Sequence, residues 1–102
     1  WKRKEITLET IAKVTSENVA DRFHIKNRGR IVEGYYADLA IIDPNKRTLV
    51  TDALIASKCK WSPFIGHSFA SSVVHTIVNG RLCVENGVLA DAPVAMPLEF
   101  DR

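Results

Sequence analysis

The run Val73-Val74-His75-Thr76-Ile77-Val78, then Asn79-Gly80, then Arg81-Leu82-Cys83-Val84-Glu85, restricts the fold more than any other stretch. Two β-branched runs separated by Asn-Gly specify a two-residue hairpin, because both central turn positions need positive φ, which Asn and Gly adopt at least cost. Asn86-Gly87 repeats the signal ahead of Val88-Leu89, so the chain should turn once more. An antiparallel sheet is therefore the unit around which the remaining residues must be arranged.

Upstream, Gly29 and Gly34 bracket Arg30-Ile31-Val32-Glu33, which reads as a short strand. Ala37-Asp38-Leu39-Ala40-Ile41-Ile42-Asp43 is a near-continuous apolar run ended by Asp43-Pro44-Asn45, the pattern of a strand buried on both faces. Thr48-Leu49-Val50-Thr51 suggests another short strand, Asp52 to Ser57 a helical turn, and the tail with Pro93 and Pro97 an extended segment. Four to six strands are expected, with no βαβ alternation and no internal repeat.

The first residues follow a different period. Thr7 is placed to cap a helix, Leu8, Ile11, Ala12 and Val14 have helical spacing, and Glu9 with Lys13 is an i,i+4 pair in the favourable orientation. Ser16 reads as a second cap, with Glu17 in the first turn and Val19, Ala20 and Phe23 forming an apolar stripe. Two short helices joined near Thr15 and Ser16 are expected, and helices this short need a surface to pack on. The result is a mixed α+β chain whose sheet lacks a full covering layer.

Composition narrows the partners. At 102 residues, 46% hydrophobic and 25% charged, the chain has the make-up of one ordinary soluble globular unit, and a cytoplasmic location is expected. No apolar run approaches the roughly 18 residues a membrane span requires. The net charge of +2, without aromatic residues interleaved among the basic ones, argues against nucleic acid. Cys59 and Cys83 have no metal-type spacing and read as reduced thiols. The chain opens on Trp1 and its single methionine is Met96, which suggests a piece of a longer protein.

One stretch resembles chemistry. Gly66-His67-Ser68-Phe69-Ala70 is one residue type from the nucleophile elbow of serine hydrolases, with His75 and Asp91 downstream as nominal triad partners. An elbow needs a strand before the serine and a helix after it. Here Pro63 interrupts the approach and Ser71-Ser72-Val73-Val74 follows, so Ser68 belongs to a loop entering a strand. His24, His67 and His75 lack the paired spacing that puts two ligands on one metal. Glu5 with Glu9 and Glu17 with Asp21 are i,i+4 pairs near helix starts, while Asp38 and Asp43 flank the apolar run as turn residues. No catalytic, substrate-binding or metal-ligating residue is assigned.

The ordered motifs nevertheless resemble a known family. Ile6-Thr7-Leu8-Glu9-Thr10-Ile11, Thr15 to Phe23, Arg28-Gly29-Arg30-Ile31-Val32-Glu33-Gly34 leading into Ala37 to Asp43, Lys58 to His67, and Thr76 to Arg81 are together similar to the C-terminal end of cyclic amidohydrolases. Trp61-Ser62-Pro63-Phe64-Ile65-Gly66 and the closing Phe100-Asp101-Arg102 most resemble dihydroorotases, with allantoinases and hydantoinases as the alternative and a non-catalytic β-rich scaffold or binding module as a reading from another class. Val19 stands where that family usually has proline, a departure of little cost at a first helical turn.

The resemblance implies a (β/α)8 barrel whose last helix is residues 1–25, and a small composite β-sandwich to which residues 26–102 contribute. It implies interconversion of carbamoyl-aspartate and dihydroorotate in pyrimidine biosynthesis, with zinc held by residues upstream of Ile6 and no cofactor in these 102 residues. The implied partners are the barrel and N-terminal strands of the same chain and a small cyclic amide. Without the former, these residues alone should be inactive and should self-associate or be barely stable.

Overall fold

The computed structural model describes residues 1–90 and 95–101. Pro93 falls outside them, while Pro97 lies in a stretch without regular structure.

The helical segment is one continuous rod. Helix α1 spans Leu8–Ala12, a π-helical turn spans Lys13–Glu17, and helix α2 spans Asn18–Arg22. Thr7 caps it as expected, its extended backbone letting the side chain accept from the Thr10 amide at 3.1 Å. The expected break at Thr15 and Ser16 does not occur: Ala12 and Glu17 keep right-handed helical angles, and the Asn18 amide donates to the Lys13 carbonyl, one residue beyond α-helical reach. The hydroxyls that suggested a break are used otherwise. Thr15 Oγ1 donates back to the Ile11 carbonyl at 2.7 Å, and Ser16 Oγ donates to the Gly29 carbonyl at 2.9 Å. No ion pair joins Glu9 to Lys13 among the described residues, consistent with the small worth of an exposed pair.

The rod ends in a Schellman motif without glycine. His24 takes φ +54°, its amide donates to Asp21 at 3.2 Å, and the Ile25 amide donates to Ala20 at 2.9 Å. The tail returns to this corner. Ile25 bridges Phe100 antiparallel, with Lys26 donating to Glu99 and Asp101 donating to His24 through backbone bonds of 2.9 and 2.8 Å.

Six strands are present among the described residues: β1 Leu39–Asp43, β2 Thr48–Leu49, β3 Ser68–Phe69, β4 Ser72–Val78, β5 Arg81–Glu85 and β6 Val88–Leu89. The main sheet has the order β1-β4-β5-β6, antiparallel throughout, while β2 and β3 form a separate ribbon. Both hairpins are those the Asn-Gly pairs demand. Asn79 and Gly80 sit at φ +51° and +77° between the paired Val78 and Arg81, and Asn86 and Gly87 at +49° and +79° between Glu85 and Val88. Asp52–Leu54 forms a 3-10 turn inside the segment expected to be helical.

Two expectations fail. Residues 30–33 form no strand: Arg30 at their start is held by side-chain contacts described below, Val32 accepts a turn bond from the Tyr35 amide, and Ile31 is 90% exposed. Strand β1 is not buried on both faces, since Ile41 and Ile42 remain 44% and 54% exposed. Its apolar run is real, but the layers that would cover it are not supplied by the described residues.

Candidate interaction surface

The residues singled out for chemistry do not converge. Ser68 sits exposed on β3, paired with Leu49, and is followed by β4 rather than a helix. The His67 ring packs against Phe69 and Phe64 with centroids 4.5 and 6.3 Å away. His75 lies mid-strand opposite Ile41 and Glu85, and its Nδ1 accepts from the Asn86 amide at 3.3 Å. His24 closes the helix at the other corner, and Asp91 lies outside the described residues. Cys83 is a half-buried thiol in β5. The exposed Cys59 thiol is held below its ordinary range by hydrogen bonding with Ser57 Oγ first and with the Trp61 backbone second. Among the described residues, no three His, Cys, Asp or Glu side chains come together in a way that could hold a metal.

Charge is organised around two arginines, Arg28 and Arg30. Arg28, one of the three buried residues among those described, donates to Asp38 Oδ2 through Nη1 and to Asn79 Oδ1 at 2.7 Å through Nη2, and its guanidinium lies 4.4 Å from the Tyr36 ring centroid. Asp38 Oδ1 also accepts from the Asn79 amide at 2.8 Å, and Gly80 donates to the Ala37 carbonyl at 3.0 Å. The hairpin tip is thereby tied to the residues leading into β1. Burial opposes the charge on Asp38, but the Asn79 amide and Arg28 outweigh it and hold the carboxyl below its ordinary pKa.

Arg30 meets Asp21 through bonds of 2.9 and 2.6 Å and Glu17 at 3.1 Å. Bonding to Arg30 lowers the Asp21 pKa, and bonding to Asp21 raises that of Arg30. The Glu17 and Asp21 spacing was the available signal, since two like charges one turn apart on a helix call for a cation between them.

What remains is apolar surface. The buried apolar residues are Ala20 and Ile55 alone among those described, whereas Leu54, Trp61, Val88 and Leu89 are 57%, 66%, 70% and 72% exposed. The accessible area is 8472 Å² for an 11.4 kDa chain, against about 5,800 Å² for a compact monomer of that mass. The radius of gyration, 15.4 Å, likewise exceeds the roughly 13 Å of a compact chain of this length.

Two open clefts meet at Ile42. One of about 660 Å³ lies between the helical rod and β1, lined by Leu8, Ile11, Ile31, Leu39 and Ile42. The other, about 590 Å³, lies where the β2–β3 ribbon approaches the main sheet, lined by Leu49, Leu54, Phe69 and Val73. No helix among the described residues is long and apolar enough to cross a membrane.

A capped helical rod, an antiparallel sheet and large open apolar faces make up an α+β chain. The chain belongs to the Amidohydrolase family, whose sequence profile matches residues 1–84. It is 38% identical over 85 residues to an allantoinase of Rubrobacter xylanophilus, covering 83% of this chain and 19% of that enzyme. To a dihydroorotase of Methanothermobacter thermautotrophicus it is 34% identical over 97 residues, covering 94% and 22%. Its fold matches the L-hydantoinase (dihydropyrimidinase) of Arthrobacter aurescens with a TM-score of 0.78 and 28% identity, over 87% of this chain and 20% of that one. The chain thus spans about a fifth of the length of these cyclic amidohydrolases.

Proposed function

We propose that these residues are the C-terminal, non-catalytic part of a dihydroorotase, in which the helical rod is the last helix of the barrel and the sheet is one share of a composite β-sandwich. The observation that carries this reading is the pairing of open apolar faces with a match covering only about a fifth of each relative. The rod and β1 would receive the barrel and N-terminal strands of the same polypeptide, burying the clefts that meet at Ile42. Their contribution to hydrolysis of a cyclic amide would be to hold the barrel closed.

Zinc would supply Lewis-acid activation of water in the proposed enzyme. Among the described residues no three His, Cys, Asp or Glu side chains come together to hold it. Its ligands are proposed to lie upstream of Ile6. An allantoinase reading is favoured by the 38% identity to the Rubrobacter enzyme, and substrate choice between the two rests on loops of the proposed barrel.

The test is hydrolysis of dihydroorotate and of allantoin by the full zinc-loaded polypeptide that carries these residues. Turnover of dihydroorotate supports the first reading, turnover of allantoin alone replaces it with the second, and turnover of neither removes both. In the active protein Ser68→Ala should leave kcat within about twofold of the parent, because Ser68 lies on an exposed strand with no catalytic surroundings. A collapse of kcat in a folded variant would restore the serine nucleophile.

The chain of 102 residues alone should hydrolyse neither substrate and should self-associate through its open faces. Light scattering that finds a monomer with cooperative melting would instead favour a free-standing β-rich binding module.

A further inference from the structure

The two Asn-Gly turns have the same local sequence but different surroundings. We infer that Asn86 is a site of spontaneous deamidation in the folded protein and that Asn79 is protected. In this reaction the Gly87 amide nitrogen, after losing its proton to solvent base, bonds to the side-chain carbonyl carbon of Asn86. The bond from that carbon to the side-chain nitrogen breaks and ammonia leaves. Water then opens the resulting succinimide at either carbonyl, giving aspartate or isoaspartate. Asn-Gly is the favoured dipeptide because glycine places no side chain in the path of the attacking nitrogen.

The reaction needs an accessible side-chain amide and a glycine N–H released from its acceptor. Asn86 is exposed and, among the described residues, its side chain makes no hydrogen bond; only its backbone amide is used, toward His75 Nδ1. The Gly87 amide donates to Val74 at 3.1 Å. That bond and the Asn86 bond to His75 tie the turn to β4, and the turn leads into β6, a two-residue edge strand whose Val88 and Leu89 are 70% and 72% exposed, so local opening at this edge releases the Gly87 amide without unfolding the sheet.

Asn79 differs at each point. It is half-buried, its Oδ1 accepts from the buried Arg28, its backbone amide is held by Asp38, and its turn closes strands of seven and five residues. Freeing the Gly80 amide from Ala37 means opening that clamp. Conversion of Asn86 adds a negative charge beside Glu85 and, in the isoaspartate form, one main-chain carbon to a turn whose Glu85–Val88 pairing requires two residues of ordinary length. Release of β6 should follow.

The test is incubation of the full protein in mildly alkaline buffer, followed by proteolysis and mass spectrometry of the two Asn-Gly peptides, with the urea-unfolded chain in parallel. Asn86 should convert at least about tenfold faster than Asn79 in the folded protein, corresponding to about 1.4 kcal/mol between the two opening free energies. In urea the two rates should converge. Equal rates in the folded protein, faster conversion at Asn79, or an intact Asn86 over a period in which the unfolded chain converts would each overturn the inference.

Discussion

Arg28→Ala should lower the unfolding free energy of the protein by about 2–4 kcal/mol, read as a shift of the urea midpoint at constant slope. The reason is what the substitution leaves behind. Asp38 would keep one bond, from the Asn79 amide, while losing its only ion-pair partner among the described residues, and Asn79 Oδ1 would lose its guanidinium donor. Asp38 is 33% exposed, so water recovers part of the loss and the estimate sits below the full cost of breaking a buried pair. Arg28→Lys should recover only part of it, because one ammonium cannot serve Asp38 and Asn79 through a planar fork while lying on Tyr36.

The same site fixes a pH dependence. The folded-state pKa of Asp38 lies below its unfolded value, so its contribution is fully present above the ordinary carboxylate pKa of about 4 and is lost as pH falls through the lower folded value. The parent should therefore lose stability more steeply than Arg28→Ala below about pH 4. Parallel acid limbs would show that Arg28 stabilises by packing on Tyr36 and not through charge.

Local rules located the elements that local rules govern. Asn79-Gly80 and Asn86-Gly87 specify their turns through backbone angles that need no distant partner, and Thr7 caps its helix through an amide three residues away. The rod between Thr15 and Ser16 was misread because the side chains that break helices by bonding to their own backbone here bond to Ile11 and to Gly29, and Gly29 is thirteen residues ahead of Ser16. His24 escaped as a C-terminal cap because its left-handed conformation carries no glycine signature. Ile31 and Val32 have strand propensity, yet the approach to that segment is fixed by Arg28 and Arg30, whose partners lie across the sheet and on the helical rod.

The candidate site was legible in an inverse sense. Pro63 and the β-branched run after Ala70 already excluded a helix after Ser68, and β4 does follow, although Ser68 itself lies on the short strand β3 and not in a loop. The segment from Trp61 to Gly66 carries the family likeness, and its Trp61 and Phe64 stand 66% and 52% exposed, with the His67 ring beside Phe64 and the Cys59 thiol on the Trp61 carbonyl. The Arg28–Asp38–Asn79 clamp could not be read from spacing, since its members are separated by as many as 51 positions and meet only once the hairpin has formed. The apolar run of β1 was legible as a strand but its burial was not, because burial depends on polypeptide that packs against it.

Gly29→Ala tests the closest contact between the helical rod and the loop that follows it, and should cost about 2–5 kcal/mol. Gly29 has φ +88°, a conformation strained for any residue bearing a Cβ. A methyl group there would also fall 2.4 Å from the Ala20 Cβ and 3.2 Å from the Ser16 carbonyl oxygen, against backbone that the Ser16–Gly29 bond holds in place. Ala20 is the most buried apolar residue described, so neither surface can move aside cheaply. The two sources of cost separate in a double-mutant cycle. Ala20→Gly removes the nearest obstacle while leaving the φ strain and the Ser16 contact, at a helix-propensity cost of about 1 kcal/mol on its own. The double variant should therefore be at least about 1 kcal/mol more stable than the two single losses added together. Strict additivity would mean that the loop yields and the cost is conformational, whereas a neutral Gly29→Ala would show that the rod and the loop do not pack as described.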